Sequence, residues 1–81
     1  MIEITVPKLG SAMIEATVLR WFKSVGDRVT KGEALVEIET DKTTHTIDSP
    51  TDGIVREILV ETGTAVPIAC LLAKIEPVKT F

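Results

Sequence analysis

The sequence predicts a single all-β domain, and three observations support this prediction. Val, Ile and Thr supply 29 of the 81 residues, against six Ala and six Leu, and β-branched side chains pack well on pleated sheets. Short apolar stretches alternate with turn signals, and two parts of the chain repeat each other at a constant spacing. This combination is typical of a compact β-barrel or β-sandwich.

Three strands are predicted directly from local pattern. Residues 2–6 alternate between apolar and polar side chains and stop at Pro7. Residues 35–39 and 71–76 are short apolar stretches with interspersed charges. Turn signals separate the strands at Gly26-Asp27, Lys31-Gly32, Ser49-Pro50, Asp52-Gly53 and Gly63.

The segments 18–29 and 55–66 allow two interpretations. Their apolar residues recur at the spacing of an amphipathic helix. However, Gly26 interrupts the first segment and Gly63 the second. The residues around Trp21 also show an alternation of side chains that a bulged strand would tolerate. The pattern alone therefore favours strands and leaves a helix open.

The most informative observation is an internal repeat. Residues 16–39 align with residues 53–76 at a constant offset of 37 positions, without gaps. The identical pairs are Val18/Val55, Gly26/Gly63, Val29/Val66, Leu35/Leu72, Ile38/Ile75 and Glu39/Glu76. A unit that cannot bury its apolar face alone can bury it against its copy, so we predict two similar halves about a pseudo-two-fold axis.

The connection between the two halves is the place that has no copy. Residues 40–43 follow the strand of the first half, whereas the second half runs out through Pro77. We therefore expect Lys42 to project from one end of the domain and Met1 and Phe81 to lie at the other. A short tip between paired strands fixes the backbone and exposes the ammonium group, so a modifying enzyme could recognise Lys42 by its position.

Composition and charge argue against several functional classes. A formal net charge of −3 leaves no broad basic surface for nucleic acid. One Cys and one His exclude an internal disulfide and argue against a zinc site or any other metal site. No apolar run reaches the roughly 18 residues of a membrane span, and no basic flank precedes a signal segment. We expect a cytoplasmic protein that is not an enzyme, since the parts of ordinary catalytic sites are missing.

The other candidate residues are interpreted as structural. His45 is expected to be a strand residue with a satisfied ring, because no nucleophile or second base lies beside it in sequence. Cys70 follows an alanine and precedes two leucines, and we expect it to be a buried small hydrophobe. Trp21 is expected to pack in the barrel, and Asp27 and Asp52 to serve turns.

Several motifs together resemble one known family. They are Trp21, Val25-Gly26-Asp27-Arg28-Val29, Leu35-Val36-Glu37-Ile38-Glu39-Thr40-Asp41-Lys42-Thr43 and residues 49–53. In these motifs the chain resembles the lipoyl domain of a dihydrolipoyl acyltransferase, the core component of 2-oxo acid dehydrogenase complexes, and the resemblance covers residues 2–76. It implies a flattened β-barrel of two four-stranded antiparallel sheets with a pseudo-two-fold axis, in agreement with the repeat. The lipoyl domain would span residues 1–77, with 78–81 beginning a possible linker.

The resemblance also implies a modification site. In that family the lysine of the Asp-Lys pair at the hairpin tip carries lipoate through an amide bond, which corresponds to Lys42 here, with Asp41 and Thr43 positioning the hairpin. Thr43 and His45 replace the family's more usual residues without removing the attachment site. Related biotinyl domains usually have methionine on both sides of the lysine, so the motif favours lipoate over biotin.

The implied function is that of a covalent carrier, or swinging arm, rather than an enzyme. Its partners would be the 2-oxo acid dehydrogenase component, the acyltransferase core domain, dihydrolipoyl dehydrogenase and a lipoate-attaching enzyme. The isolated domain is expected to be a monomer. The cofactor would supply the chemistry, and the protein would determine where the cofactor is attached and how it is oriented. Two alternatives stay open, a biotinyl carrier domain and an unmodified interaction module on the same fold.

The loop after the first strand is a second candidate site. In the family, recognition by the dehydrogenase depends partly on this loop. The corresponding residues here are Leu9, Gly10, Ser11, Ala12 and Met13. An ordinary loop, in which Leu9, Met13 and Ile14 close the barrel end, is equally compatible with the sequence. Residues 15–18 resemble the 2-oxoglutarate type and Met13 the pyruvate or acetoin type, so the oxo acid stays open.

Overall fold

The computed structural model describes residues 1–7, 14–40 and 43–78, and all regular structure in these ranges is β-strand. No helix in these ranges is long and apolar enough to cross a membrane. The strands are β1 Ile2–Thr5, β2 Glu15–Trp21, β3 Arg28–Val29, β4 Ala34–Thr40, β5 Thr43–Asp48, β6 Gly53–Ile58, β7 Ala65–Pro67 and β8 Leu71–Pro77.

The strands form two four-stranded antiparallel sheets. One, the terminal sheet, has the order β1-β8-β6-β3, and the other, the hairpin sheet, has the order β5-β4-β2-β7. Exchanging the first four strands for the last four converts one order into the other. The predicted all-β fold with an internal pseudo-two-fold relation is therefore confirmed.

The two glycine-containing segments are strands and turns, so the helical interpretation is wrong and the strand interpretation is confirmed. Gly26 has a φ of 96° and Gly63 a φ of 89°. Glycine adopts this left-handed conformation without the steric cost that other residues pay. The helical spacing of the apolar residues therefore spans a sharp turn between two strands.

The turn glycines also tie the two halves together. The Gly26 N–H donates to the Val55 carbonyl at 2.7 Å, and the Gly63 N–H donates to the Val18 carbonyl at 2.7 Å. In addition, β3 pairs with β6 and β7 pairs with β2. The short strand β3 of the first half thus pairs with a strand of the second half, and the short strand β7 of the second half pairs with a strand of the first.

The core lies between the two sheets and is built from aliphatic side chains. Trp21 packs against it and donates its Nε1–H to the Val60 carbonyl at 2.9 Å, which confirms its packing role. Cys70 is half-buried and packs against this core, so the prediction of a small packed hydrophobe is confirmed and that of full burial is wrong. It lies in the turn between β7 and β8, at the margin of the core. The buried residues are Ile4, Val6, Ala16, Val18, Val29, Leu35, Val36, Ile38, Val55, Val60, Val66, Leu72, Ala73 and Ile75.

Candidate functional site

The connection between β4 and β5 contains Lys42, the residue for which the sequence predicts modification. The antiparallel register of the two strands continues to the pair Thr40 and Thr43. Two chain positions, Asp41 and Lys42, separate these threonines, and both lie outside the described residues. The strands therefore hold both sides of a two-residue connection, the shortest common link between antiparallel strands.

This hairpin end of the molecule lies opposite the described end of β8. The strand β2 begins at the hairpin end, as shown by the pairing of Thr17, near its start, with Glu39, near the end of β4. Pro67 pairs with Glu15 at the same end, and β8 starts a short turn later and runs away from it. Pro77 therefore lies at the far end, as the repeat predicts for the chain ends.

Three polar side chains are hydrogen-bonded beside the connection. The Thr43 Oγ1 lies 3.3 Å from the Thr40 Oγ1 and 3.4 Å from the Thr40 carbonyl oxygen. It also lies 3.2 Å from the His45 Nε2. Thr40 is 7% exposed, whereas Thr43 lies at the surface. The prediction that His45 is a strand residue with a satisfied ring is confirmed.

A carboxylate next to the hairpin differs from its copy in the other half. Glu76 accepts a hydrogen bond from the Arg56 Nε at 2.6 Å. In the first half, Leu19 occupies the position of Arg56, and Glu39 forms no ion pair with any described residue. The first half therefore presents, one residue before Thr40, a negative charge that no described residue compensates.

The described residues offer no alternative metal centre, since they contain no group of three His, Cys, Asp or Glu side chains that could hold an ion. Asp27 and Asp52 instead serve turns, as predicted. The Asp27 carboxylate accepts the Ser24 N–H at 2.8 Å, and the Asp52 carboxylate accepts the Lys31 N–H at 2.8 Å.

The second candidate site falls outside the described residues, which omit Leu9, Gly10, Ser11, Ala12 and Met13. Its attachment to β2 is described. Ile14 is 78% exposed, so the alternative in which its side chain closes the barrel end is wrong for this residue. Ile14 precedes β2 and lies beyond the last strand pair, Glu15 with Pro67, so no facing sheet covers it.

The two halves differ in the length of this connection. The pairs Ile2 with Ile75 and His45 with Ile38 occupy equivalent places in the two sheets, and the register that follows makes Thr5 equivalent to Asp48. The repeat makes Ala16 equivalent to Gly53. The first connection is therefore six residues longer than the second, a length equal to residues 8–13.

The sequence is similar to known proteins over most of its length. Residues 2–75 match the family described as "Biotin-requiring enzyme". The dihydrolipoyllysine-residue succinyltransferase component of the 2-oxoglutarate dehydrogenase complex of Bartonella vinsonii is 46% identical over 91% of this chain and 18% of that protein. The pyruvate dehydrogenase E1 component subunit beta of Rhizobium meliloti is 38% identical over 88% of this chain and 16% of that protein. The chain thus spans less than a fifth of either relative.

A solved structure shares the fold. It is the solution structure of the lipoyl domain of the 2-oxoglutarate dehydrogenase complex from Azotobacter vinelandii, with a TM-score of 0.80 and 33% sequence identity. The match covers 94% of this chain and 96% of that chain, so nearly all of one domain corresponds to nearly all of the other. The chain belongs to the biotin- and lipoyl-attachment family, as one of its lipoyl domains.

Proposed function

We propose that the chain is a covalent lipoyl carrier whose attachment site is Lys42. The register of β4 and β5 carries this proposal, because it leaves only Asp41 and Lys42 between two paired strands. Of these two residues only the lysine has an amine, and lipoate is attached through an amide. In this role Asp41 and Thr43 set the geometry of the hairpin around the attachment point.

The chain contributes position rather than reactivity to the carrier function. Paired strands hold Thr40 and Thr43, and the aliphatic core holds the strands. A bound lipoyl group supplies the redox and acyl-transfer chemistry. The amide replaces the positive charge of Lys42 with a neutral group. Beside the connection this leaves the Glu39 carboxylate, which forms an ion pair with none of the described residues. The domain itself is not catalytic in this proposal.

We propose that Leu9, Gly10, Ser11, Ala12 and Met13 contact the 2-oxo acid dehydrogenase component. Two observations support this role. The connection that contains them is six residues longer than its copy, and the strand that follows it begins at the hairpin end. A partner that acts on the lysine could therefore contact both segments together.

The parent protein of this domain is proposed to be the acyltransferase subunit of such a complex. The similarity to the succinyltransferase component supports this assignment, whereas the similarity to an E1 subunit shows that such domains also occur in other subunits. The acyltransferase core domain, dihydrolipoyl dehydrogenase and a lipoate-attaching enzyme are the further proposed partners. We also propose a cytoplasmic location, a monomeric domain over residues 1–77 and a linker that begins at residues 78–81.

The proposal is tested by intact mass after incubation with lipoate, ATP and a lipoate-protein ligase. We expect a gain of one lipoyl group per chain in the wild type and no gain in Lys42→Arg. Lys31→Arg, a matched change in a turn of the described region, should keep the gain. Modification of Lys42→Arg would refute the site, and an unmodified wild type would refute the carrier function. Modification by a biotin ligase instead would favour the biotinyl alternative.

A further inference from the structure

The Thr43 hydroxyl has one proton to donate and three polar atoms within hydrogen-bonding distance. Its one proton can be donated to the Thr40 carbonyl, the Thr40 hydroxyl or the His45 Nε2, which lie at 3.4, 3.3 and 3.2 Å. If the His45 Nε2 is unprotonated, a chain of donors runs from Thr40 through Thr43 to His45. If that nitrogen is protonated, the chain runs in the opposite direction and ends at the Thr40 carbonyl. Thr43 joins β4 to His45 in both arrangements.

The fold itself does not require this polar group. By the internal two-fold relation, Thr40 corresponds to Pro77 and His45 corresponds to Ile2. The far end of the molecule therefore pairs its strands without these hydroxyl and imidazole groups. The hydrogen-bonded trio occurs at the end that carries the connection with Lys42.

We propose that Thr40, Thr43 and His45 are positioning residues that hold the two sides of the hairpin in one conformation for the enzyme that attaches lipoate. This inference rests on the proposed attachment at Lys42. When only a fraction of the hairpins is in the conformation that the enzyme binds, the apparent affinity equals the intrinsic affinity multiplied by that fraction. The trio should therefore lower the KM for the domain as a substrate, with little effect on kcat.

The test is steady-state lipoylation with saturating ATP and lipoate and a varied concentration of the unmodified chain. Thr43→Val removes the shared hydroxyl and keeps the β-branched shape. We expect it to raise KM about fivefold, as the loss of a hydrogen bond of typical strength would, and to change kcat less than about twofold. Thr43→Ser restores the hydroxyl and should bring KM back to within about twofold of the wild type.

A control variant and a second variant of the trio separate the hydrogen bonds from the stability of the strand. Thr44→Val makes the same change one residue later, on the opposite face, where the threonine hydroxyl bonds to no described residue, and it should leave KM unchanged. His45→Ile introduces the residue found at the equivalent position, Ile2. We expect it to keep the melting temperature and to raise KM about threefold.

The outcomes distinguish this inference from the carrier function. If the wild type is modified and Thr43→Val has an unchanged KM, the positioning role is refuted and the carrier function stands. A loss of kcat at constant KM, or a Thr43→Ser variant that behaves like Thr43→Val, also refutes the positioning role. A wild type that is never modified refutes both proposals. Faster amide hydrogen exchange at residues 43–45 in Thr43→Val, with unchanged exchange in Thr44→Val, would support the role independently.

Discussion

Ala69 shows at the residue scale how the two halves keep one geometry with different residues. It is the non-glycine residue with a positive φ, 69°, among those the structure describes, and its counterpart Gly32 has a φ of 89°. The Ala69 N–H donates to the Val6 carbonyl at 3.0 Å, and the Gly32 N–H donates to the Ser49 carbonyl at 2.8 Å. The second half therefore keeps this turn although alanine pays a steric cost for it.

We expect Ala69→Gly to raise the free energy of unfolding by up to about 1.5 kcal/mol. The left-handed conformation costs an L-residue roughly 1–2 kcal/mol, of which the larger unfolded-state entropy of glycine offsets roughly 0.5–1 kcal/mol. Urea unfolding followed by Trp21 fluorescence measures the change. Ala65→Gly, an exposed position within β7, should instead destabilise the chain. If Ala69→Gly destabilises it equally, the positive φ is not what limits this turn.

At the scale of the strands, the repeat preserves register and bulges rather than side chains. The pairing of β2 with β4 shifts between Val18 and Arg20, and the pairing of β6 with β8 shifts at the equivalent residues. Each shift is followed by a pair of oppositely charged residues across the strands. The signs are exchanged between the halves, because the positive residue lies on β2 in the first pair and on β8 in the second. These pairs are Arg20–Glu37, at 3.9 Å, and Glu57–Lys74, at 4.0 Å. A bulge changes which residues face each other across the strands, so its position fixes where such pairs can form.

A pH dependence is expected from the turn between β3 and β4. The Glu33 carboxylate lies 3.0 Å from the Lys23 Nζ and accepts the Thr30 N–H at 3.1 Å. The hydrogen bond with Lys23, followed by that with Thr30, lowers the pKa of the carboxyl below its ordinary value of 4.5. The unfolded chain therefore binds more protons in this acid range. The stabilisation is present above that ordinary value and is lost as the pH falls through the lowered pKa.

Glu33→Gln tests this pH dependence through melting temperatures measured from neutral to acid pH. The variant keeps an oxygen that can accept the Thr30 N–H and removes the charge. We expect the wild type to have the higher melting temperature at neutral pH, and the two curves to converge once the pH has fallen below the lowered pKa of the Glu33 carboxyl. Parallel curves over the whole range would show that the ionised carboxylate does not contribute to stability.

The sequence predicts some strands better than others for physical reasons. β4 and β8 are predictable because their apolar residues are concentrated and recur at the repeat spacing. β5 is rich in threonine, with few apolar side chains, and β3 and β7 are two and three residues long, too short for a periodic pattern. Their places follow from pairing with distant strands, which local pattern does not contain.

The candidate site also has a part that the sequence predicts and a part that it does not. The position of the connection is predictable because the repeat shows where one half ends. The hydrogen bonds among Thr40, Thr43 and His45 are not, because they depend on the register that brings these residues to one edge of the sheet. A signal was present in the alternation of Thr43 and His45, which places both side chains on one face. The bond from Thr43 to Thr40 on the paired strand could not be identified from it.

At the scale of the whole molecule, neither half can complete its own sheet. The strand β3 of the first half pairs with β6, and β7 of the second half pairs with β2. The part-buried indole hydrogen bond from Trp21 to Val60 also crosses between the halves. Folding therefore requires both halves together, although their sequences are related.

We expect peptides of residues 1–40 and 43–81 to be unfolded when separate. Each peptide lacks the partner strands supplied by the other, and two-stranded ribbons alone are marginal in water. Far-UV circular dichroism should show no cooperative thermal transition for either peptide. An equimolar mixture should regain one, with a melting temperature that rises with concentration. A cooperative transition of either peptide alone would contradict the interdependence of the halves.

The reciprocal bonds from Gly26 to Val55 and from Gly63 to Val18 have the form of an isologous subunit interface, in which each contact occurs twice with the roles exchanged. A dimer of two separate halves would have two identical ends. Joining the halves in one chain removes this equivalence, because a two-residue connection links β4 to β5 at one end, whereas the corresponding strands β8 and β1 at the other end are not linked in this way. A stoichiometry of one carried group per molecule would then follow from the connectivity of the chain, whatever residues the attaching enzyme reads.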